Sequence, residues 1–409
     1  MKLKKLTIST LMTGSLLLLA ACGGGSSSSN DGKGDGDLGG TPPPAPAACN
    51  STEGAINTLA LASENCPSLA SYRLFKDQAD PTKNPNSTGI PYDLNTPLFS
   101  DYTSKYRFVF IPEGEQAQYE PEESFEFPVG TVITKTFALP ADTAIRGIEN
   151  ETKIETRLLI HRDTGWVALP YVWDKTGTKA TLAIAGNISQ RTTIHNGKQL
   201  GPFSYHVPDM NQCKQCHQFK DDPTSGVSKF LPIGPKARHL NGDYDYGADG
   251  IRNQLVYWQE EGLLAGLPAD LSTVGKVPVY QDSDTANLSS KSPEELQALA
   301  KGYLDINCAH CHRPEGGASN TGLKLESWRD FETNKFAHGV CKKPVAFGGG
   351  SLSFDVVPGN AENSIMHFRM NSTKPGDRMP ELARSLIHEE GVALIARWIN
   401  SLTGSGCGI

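Results

Sequence analysis

Positive charge is in short supply in this chain of 409 residues: 38 Lys and Arg face 45 Asp and Glu, for a net charge of −7. Phosphate binding needs a basic surface, so nucleic acid is excluded as a main partner. Charged residues are only 20% and hydrophobic residues 38%, which leaves enough apolar side chain for buried cores but makes neither a coiled coil nor a membrane bundle. Long helices are disfavoured as well. Gly 41 and Pro 27 sum to 68 residues, about 17% of the chain against a typical ~12%. Methionine is scarce, at 6, and none lies between Met210 and Met366. The length suggests two or three domains of about 100–200 residues each.

What the chain does contain is cysteine, an odd 9. One of them follows a basic start (Lys2, Lys4, Lys5) and an apolar stretch too short to span a bilayer by itself. The end of that stretch, Leu19-Ala20-Ala21-Cys22, resembles the lipobox of a bacterial lipoprotein signal. The resemblance makes 1–21 a signal peptide and Cys22 the lipidated first residue. Gly23 stands where an inner-membrane retention signal carries Asp, so outer-membrane anchoring is expected. Residues 22–48 are rich in Gly, Ser and Pro with almost nothing to bury, and read as a disordered tether.

From Pro91 to Gly186 short β-branched and aromatic runs, such as Arg107–Ile111, Thr131–Phe137, Ile154–Ile160 and Tyr171–Trp173, are separated by Gly-containing turns. That pattern predicts an antiparallel sandwich or barrel over 49–200. Of its aromatics, Tyr102, Tyr106, Trp166, Tyr171 and Trp173 could form a docking face, core packing being the plainer reading. Helical signals follow: Asp249 as N-cap before Ile251–Trp258, Ser292-Pro293-Glu294-Glu295 as a capping box, and Val392, Ile395, Ile399 and Leu402 at helical spacing. The expected fold class is therefore multidomain α+β: a β-rich domain, then two α-helical class I cytochrome c-like domains at 201–290 and 291–409.

Those two segments carry the chemistry. Cys213-Lys-Gln-Cys216-His217 and Cys308-Ala-His-Cys311-His312 are C-x-x-C-H motifs, the attachment sequence of c-type haem. Two thiols one helical turn apart can bond both vinyl groups on one porphyrin edge, and the adjoining His ligates iron. The cofactors implied are two haems c, with His217 and His312 as proximal ligands. A zinc site is the competing reading, but 308 − 213 = 95 residues separate the pairs, wider than zinc ribbons use.

For the second haem, Met379 in Asp377-Arg-Met-Pro380 stands where a class I cytochrome c holds its axial Met, with Met366 and Met370 as competitors. His310, inside the motif, is expected to face solvent. For the first haem, Leu231-Pro-Ile-Gly-Pro235 is similar to the segment whose Pro carbonyl accepts the axial His Nδ1 proton in class I cytochromes c, which would give Pro235 that role. No Met is near, so the sixth ligand is His239, His206, a distant Met or nothing; His239 is the first candidate. The remaining Cys49, Cys66, Cys341 and Cys407 permit three disulfide connectivities, of which Cys49–Cys66 with Cys341–Cys407 is the simplest. The carboxylates of Asp243, Asp245 and Asp249 suggest calcium weakly, since the loop lacks the EF-hand's terminal Glu.

Taken with Pro97–Tyr102, Phe127–Gly130, Glu155–Leu159, Asp209–His217, Tyr303–Gly316 and Met379–Leu382, the chain resembles a bacterial family of lipoprotein dihaem c-type cytochromes from about Thr88 onward. The resemblance implies two haems and a β-rich region, and a parallel β-helix repeat protein as a companion. The function expected is electron transfer with redox proteins of the cell envelope, held to the membrane by the lipid anchor. The alternative is a dihaem peroxidase or oxidase using the Met-less first haem as an open site.

Overall fold

Alternating β-branched and aromatic side chains between Ser104 and Trp173 build the spine of the protein. The computed structural model describes residues 44–346, 352–404 and 406–408; the signal segment 1–21, Cys22 and most of the expected tether lie outside them. Strands β1 (Ile90–Pro91), β2 (Ser104–Phe110), β3 (Ala117–Gln118), β4 (Val132–Pro140), β5 (Glu151–Arg162), β6 (Gly165–Trp173), β7 (Ala180–Leu182), β8 (Asn187–His195) and β9 (Lys198–Val207) come first. Six form one antiparallel sheet in the order β1-β2-β4-β5-β6-β7. Arg162 pairs with Gly165 across a two-residue turn, where φ of +101° at Gly165 suits a residue without Cβ. β8 and β9 pair as a separate hairpin around Asn196-Gly197, both at positive φ, the backbone that matches strand twist in a two-residue turn.

Successive strand residues point to opposite faces, and here both faces are covered. Phe108, Phe110, Leu158, Ile160, Leu169 and Tyr171 pack with Leu61, Tyr72 and Phe75 from the segment that precedes the sheet, including α1 (Thr58–Ser63). A disulfide joins Cys49 to Cys66 in this layer. On the other face Val109, Ile111 and Ile133 share a core with Leu240, Leu255, Trp258, Leu264 and Ile306.

That second core overturns the expectation of two α-helical class I cytochrome c-like domains. After Val207 the chain forms α2 (Met210–His217), α3 (Ala237–Leu240) and α4 (Gln254–Glu260), all short, interleaved with β10 (Gln218–Phe219), β11 (Lys229–Phe230), β12 (Asp243–Asp245), β13 (Ile251–Asn253) and β14 (Leu264–Ala265). Fourteen strands are found among the described residues, and this stretch spends its apolar residues on the sheet instead of on a helical core of its own. Proline and glycine cut the helices short. Asp249 is not the cap of α4, whose N-terminus is held by Asn253; Ile251 lies in β13. Asp249 accepts from Tyr257 Oη at 2.9 Å and Asp245 from Gly247 N, so those carboxylates serve a turn.

The longer helices are α5 (Pro293–Leu304) and α7 (Glu389–Ser401), which pack with α6 (Ile365–Met370) around Leu299, Leu304, Ile395, Trp398 and Ile399. A second disulfide joins Cys341 to Cys407. The described residues from Ala45 onward belong to one compact unit.

Candidate functional site

The first motif occupies α2. Asp209 caps it reciprocally: its carboxylate accepts from Gln212 N at 2.7 Å, and Gln212 Oε1 accepts from Asp209 N at 3.0 Å. Cys213 and Cys216 then fall one turn apart. The β10–β11 ribbon brings the chain back so that Leu231 O accepts from His217 Nδ1 at 2.7 Å and Phe230 stacks on the imidazole at 4.6 Å. The acceptor expected at Pro235 is thus Leu231; the Pro235 carbonyl takes Phe125 N instead, because the ribbon reverses the chain four residues earlier.

The second motif follows α5, whose capping box at Ser292 and Glu295 forms as the sequence predicts. The helix widens into a π turn over Asp305–Ala309 before Cys311 and His312. Thr321 Oγ1 donates to Ala318 O at 2.7 Å and so accepts from His312 Nδ1 at 3.0 Å. Both motif histidines are therefore held as the Nδ1–H tautomer with the Nε2 lone pair free, the form that binds a metal. Burial holds each neutral, pushing both down to about 4.

The two motifs, distant in sequence, touch. Cys311 Sγ lies 3.2 Å from Gln215 O, and donor atoms of Cys216, His310 and Cys311 lie within 4.8 Å of one another. His310 is half-buried beside Cys216, with its Nδ1 out of reach of solvent. The hydrogen bond between the Cys216 and Cys311 thiols lowers the first and raises the second. Asp305, fully buried, ties the halves together: it accepts from Arg238, from Lys236 Nζ at 3.4 Å and from Ser327 Oγ at 2.6 Å.

An apolar cavity opens beside each motif, and a further one of about 340 Å³ is lined by residues of both, Cys216, Cys308, His312 and Met379 among them. The one at Cys308 and His312, about 300 Å³, is lined by Leu304, Leu323, Ile365, Met366, Met370 and Met379. Met379 is held there by its own N–H to Arg369 O at 3.0 Å and by Arg384 on its carbonyl at 2.8 Å. The cavity at Cys213, Cys216 and His217, about 130 Å³, is lined by Leu94, Leu98, Phe99, Ile133 and Leu159. The donor sets suit a haem at both motifs; the first cavity is the narrower and carries charged as well as apolar side chains.

Sequence reasoning missed the charge in that first cavity. Arg107, Lys135 and Arg157 stand directly opposite one another on β2, β4 and β5 and line it together. Like charges in register oppose strand pairing. Asp93 offsets Arg107, and Glu155 takes Arg157 through two bonds of 2.7 and 2.6 Å. Burial, with the two guanidinium groups, pushes the Lys135 ammonium down to about 7. Charged residues inside β-branched runs were the available signal. His239, the expected distal ligand, does not line the cavity: it is fully buried in α3, its Nε2 3.8 Å from Asp305. His206 is exposed on β9.

Comparison with protein-family models, curated proteins and solved structures returns no match to this chain.

Proposed function

We propose that this chain is a dihaem c-type cytochrome of the cell envelope that passes electrons through two covalently bound haems. One observation carries the reading: two C-x-x-C-H motifs 95 residues apart meet in space, and each presents an imidazole with free Nε2 beside an apolar cavity. Bound haem supplies one-electron chemistry; the chain's part is to attach it, ligate it, exclude water and tune its potential. Cys213, Cys216, Cys308 and Cys311 would be thioethers, His217 and His312 the proximal ligands, and Met379 the distal ligand at the second motif. Contact between the motifs suits rapid exchange between the two centres. By the resemblance noted above, Cys22 anchors the protein to the outer membrane, and its partners are envelope redox proteins and a parallel β-helix repeat protein.

A second reading, a peroxidase or oxidase, is favoured by the first cavity: no methionine lines it among the described residues, and three cations do. Paired variants test both. Cys213→Ser with Cys216→Ser, and Cys308→Ser with Cys311→Ser, should each leave one covalent haem. If neither pair lowers the haem content, the proposal fails. In the first-haem-only protein, a resting high-spin electron paramagnetic resonance signal selects the enzyme and a low-spin signal the carrier.

A further inference from the structure

Away from the motifs, a cleft of about 810 Å³ runs between β2, the β8–β9 turn and the start of α7. Among the residues on its wall are His195, His388, Asp282 and Glu390, which the proposed haem chemistry does not use. His388 stacks on Phe99 at 4.3 Å, its Nδ1 faces Tyr303 Oη at 3.0 Å, and its Nε2 faces Asp282 Oδ1 at 3.0 Å and Glu390 Oε2 at 3.8 Å. Glu390 is itself held twice: Tyr102 Oη donates to Oε2 at 3.0 Å, and His195 Nε2 lies 2.8 Å from Oε1. His195 is oriented in turn by Thr143 Oγ1 at 2.8 Å and by the Tyr102 ring at 4.0 Å.

The backbone is strained to make this arrangement. Asp101 and Tyr102 are consecutive buried residues at φ +49° and +60°. Non-glycine residues in that region cost about 1–3 kcal/mol each and cluster at functional sites. The Asp101 carboxylate holds the strain in place by accepting from Ser385 N and Leu386 N, both at 2.7 Å.

We propose that Asp282, His388 and Glu390 bind a first-row divalent transition-metal ion, with His195 and Tyr102 positioning Glu390. Donor atoms of the three ligands lie within 4.8 Å of one another. One imidazole nitrogen with two carboxylate oxygens suits zinc, manganese or ferrous iron; it is too nitrogen-rich for calcium and too hard for cuprous ion. The Nδ1 partner of His388 is the second layer that metal-bound imidazoles keep. The cleft leaves coordination positions for water or a small ligand, as catalytic sites do. Arg146, 3.9 Å from Asp282 Oδ2, competes for the outer oxygen and leaves Oδ1 to the metal. Phe99 and Arg107 line both this cleft and the cavity at His217, so the site shares a wall with the first motif.

The test is a Zn²⁺ titration of the intact protein, stripped with EDTA, followed by calorimetry and elemental analysis. One Zn²⁺ per chain is expected. Asp282→Asn, at a half-exposed and isosteric position, should weaken it by roughly 100-fold or more, beyond the 10–100-fold typical of outer-layer changes, with an unchanged melting temperature. Tyr102→Phe should lie within that outer-layer range. Cys311→Ser should leave Zn²⁺ binding intact, separating this site from the cysteine cluster. No stoichiometric Zn²⁺, or binding insensitive to Asp282→Asn, or binding abolished by Cys311→Ser, would overturn the proposal. Read in the Cys311→Ser protein, where the cysteine cluster has lost a ligand, the stoichiometry at this site does not depend on the haem count.

Discussion

Replacing Asp305 with Asn probes the join between the two motifs. The carboxylate has no solvent exposure, and around it lie Arg238 and Lys236, both nearly fully buried, together with Ser327. Asn keeps the shape but removes the negative charge, leaving two cations in the interior with no full counter-charge. Breaking a buried ion pair from one side costs about 3–5 kcal/mol. For a chain of this size that corresponds to roughly 5–10 °C in melting temperature, at the low end of the per-kcal shifts seen for smaller proteins. The cations and the His239 contact hold the Asp305 carboxyl well below the usual range despite its burial. A carboxyl whose folded value is depressed stabilises the fold above its unfolded value, about 3.9, and that stability is lost as pH falls through the folded value. The difference between native and variant protein should thus be full at pH 7 and shrink below about pH 4. Urea unfolding at pH 7 and pH 3 measures both. A difference under about 1 kcal/mol at pH 7, in the range of an exposed pair, or one that does not change with pH, would refute the reasoning.

Met379→Ala should abolish the far-red Met–Fe absorption band and lower one of two redox potentials, read by spectroelectrochemistry; a persisting band would make Met366 or Met370 the ligand. Lys135→Ala removes the one side chain of the first cavity's cation row that lacks a partnering carboxylate, and should change the spin state or potential of the first haem only. Asp101→Asn should stabilise the protein by ~1–3 kcal/mol above pH 6 and leave it unchanged near pH 3. Burial raises the Asp101 carboxyl to about 6, so its ionisation destabilises the fold as pH rises through that value, a cost the neutral Asn does not carry. Thermal melts across pH 3–8 check it.

The sheet was legible because its strands are runs of β-branched and aromatic residues bounded by Gly-bearing turns; Arg107–Ile111, Thr131–Phe137 and Ile154–Ile160 all fall on β2, β4 and β5 within a few residues. The β8–β9 hairpin was not read, although Asn196-Gly197 marks its turn, because residues such as Gln190, Arg191 and Thr193 give it a polar face. Helix α5 announced itself through a capping box, a local signal. The helical domains failed because whether Leu255 and Trp258 bury against one another or against Val109 is decided by tertiary packing. At the site, the two motifs are read from their own spacing, and Met379, chosen for its likeness to a class I axial Met, lies on the wall of the cavity at His312. Lys135, Arg157 and Asp305 could not be placed in this way, since their meaning lies in which strands and segments become neighbours. The Leu231 acceptor likewise depends on the β10–β11 reversal, which no side-chain pattern advertises.

The central claim is tested most directly by counting covalent haem. Pyridine haemochrome absorbance, normalised to chain concentration by amino-acid analysis, should give two haems c per chain that survive acid–acetone extraction. One haem, none, or haem that extracts into the solvent would contradict the account.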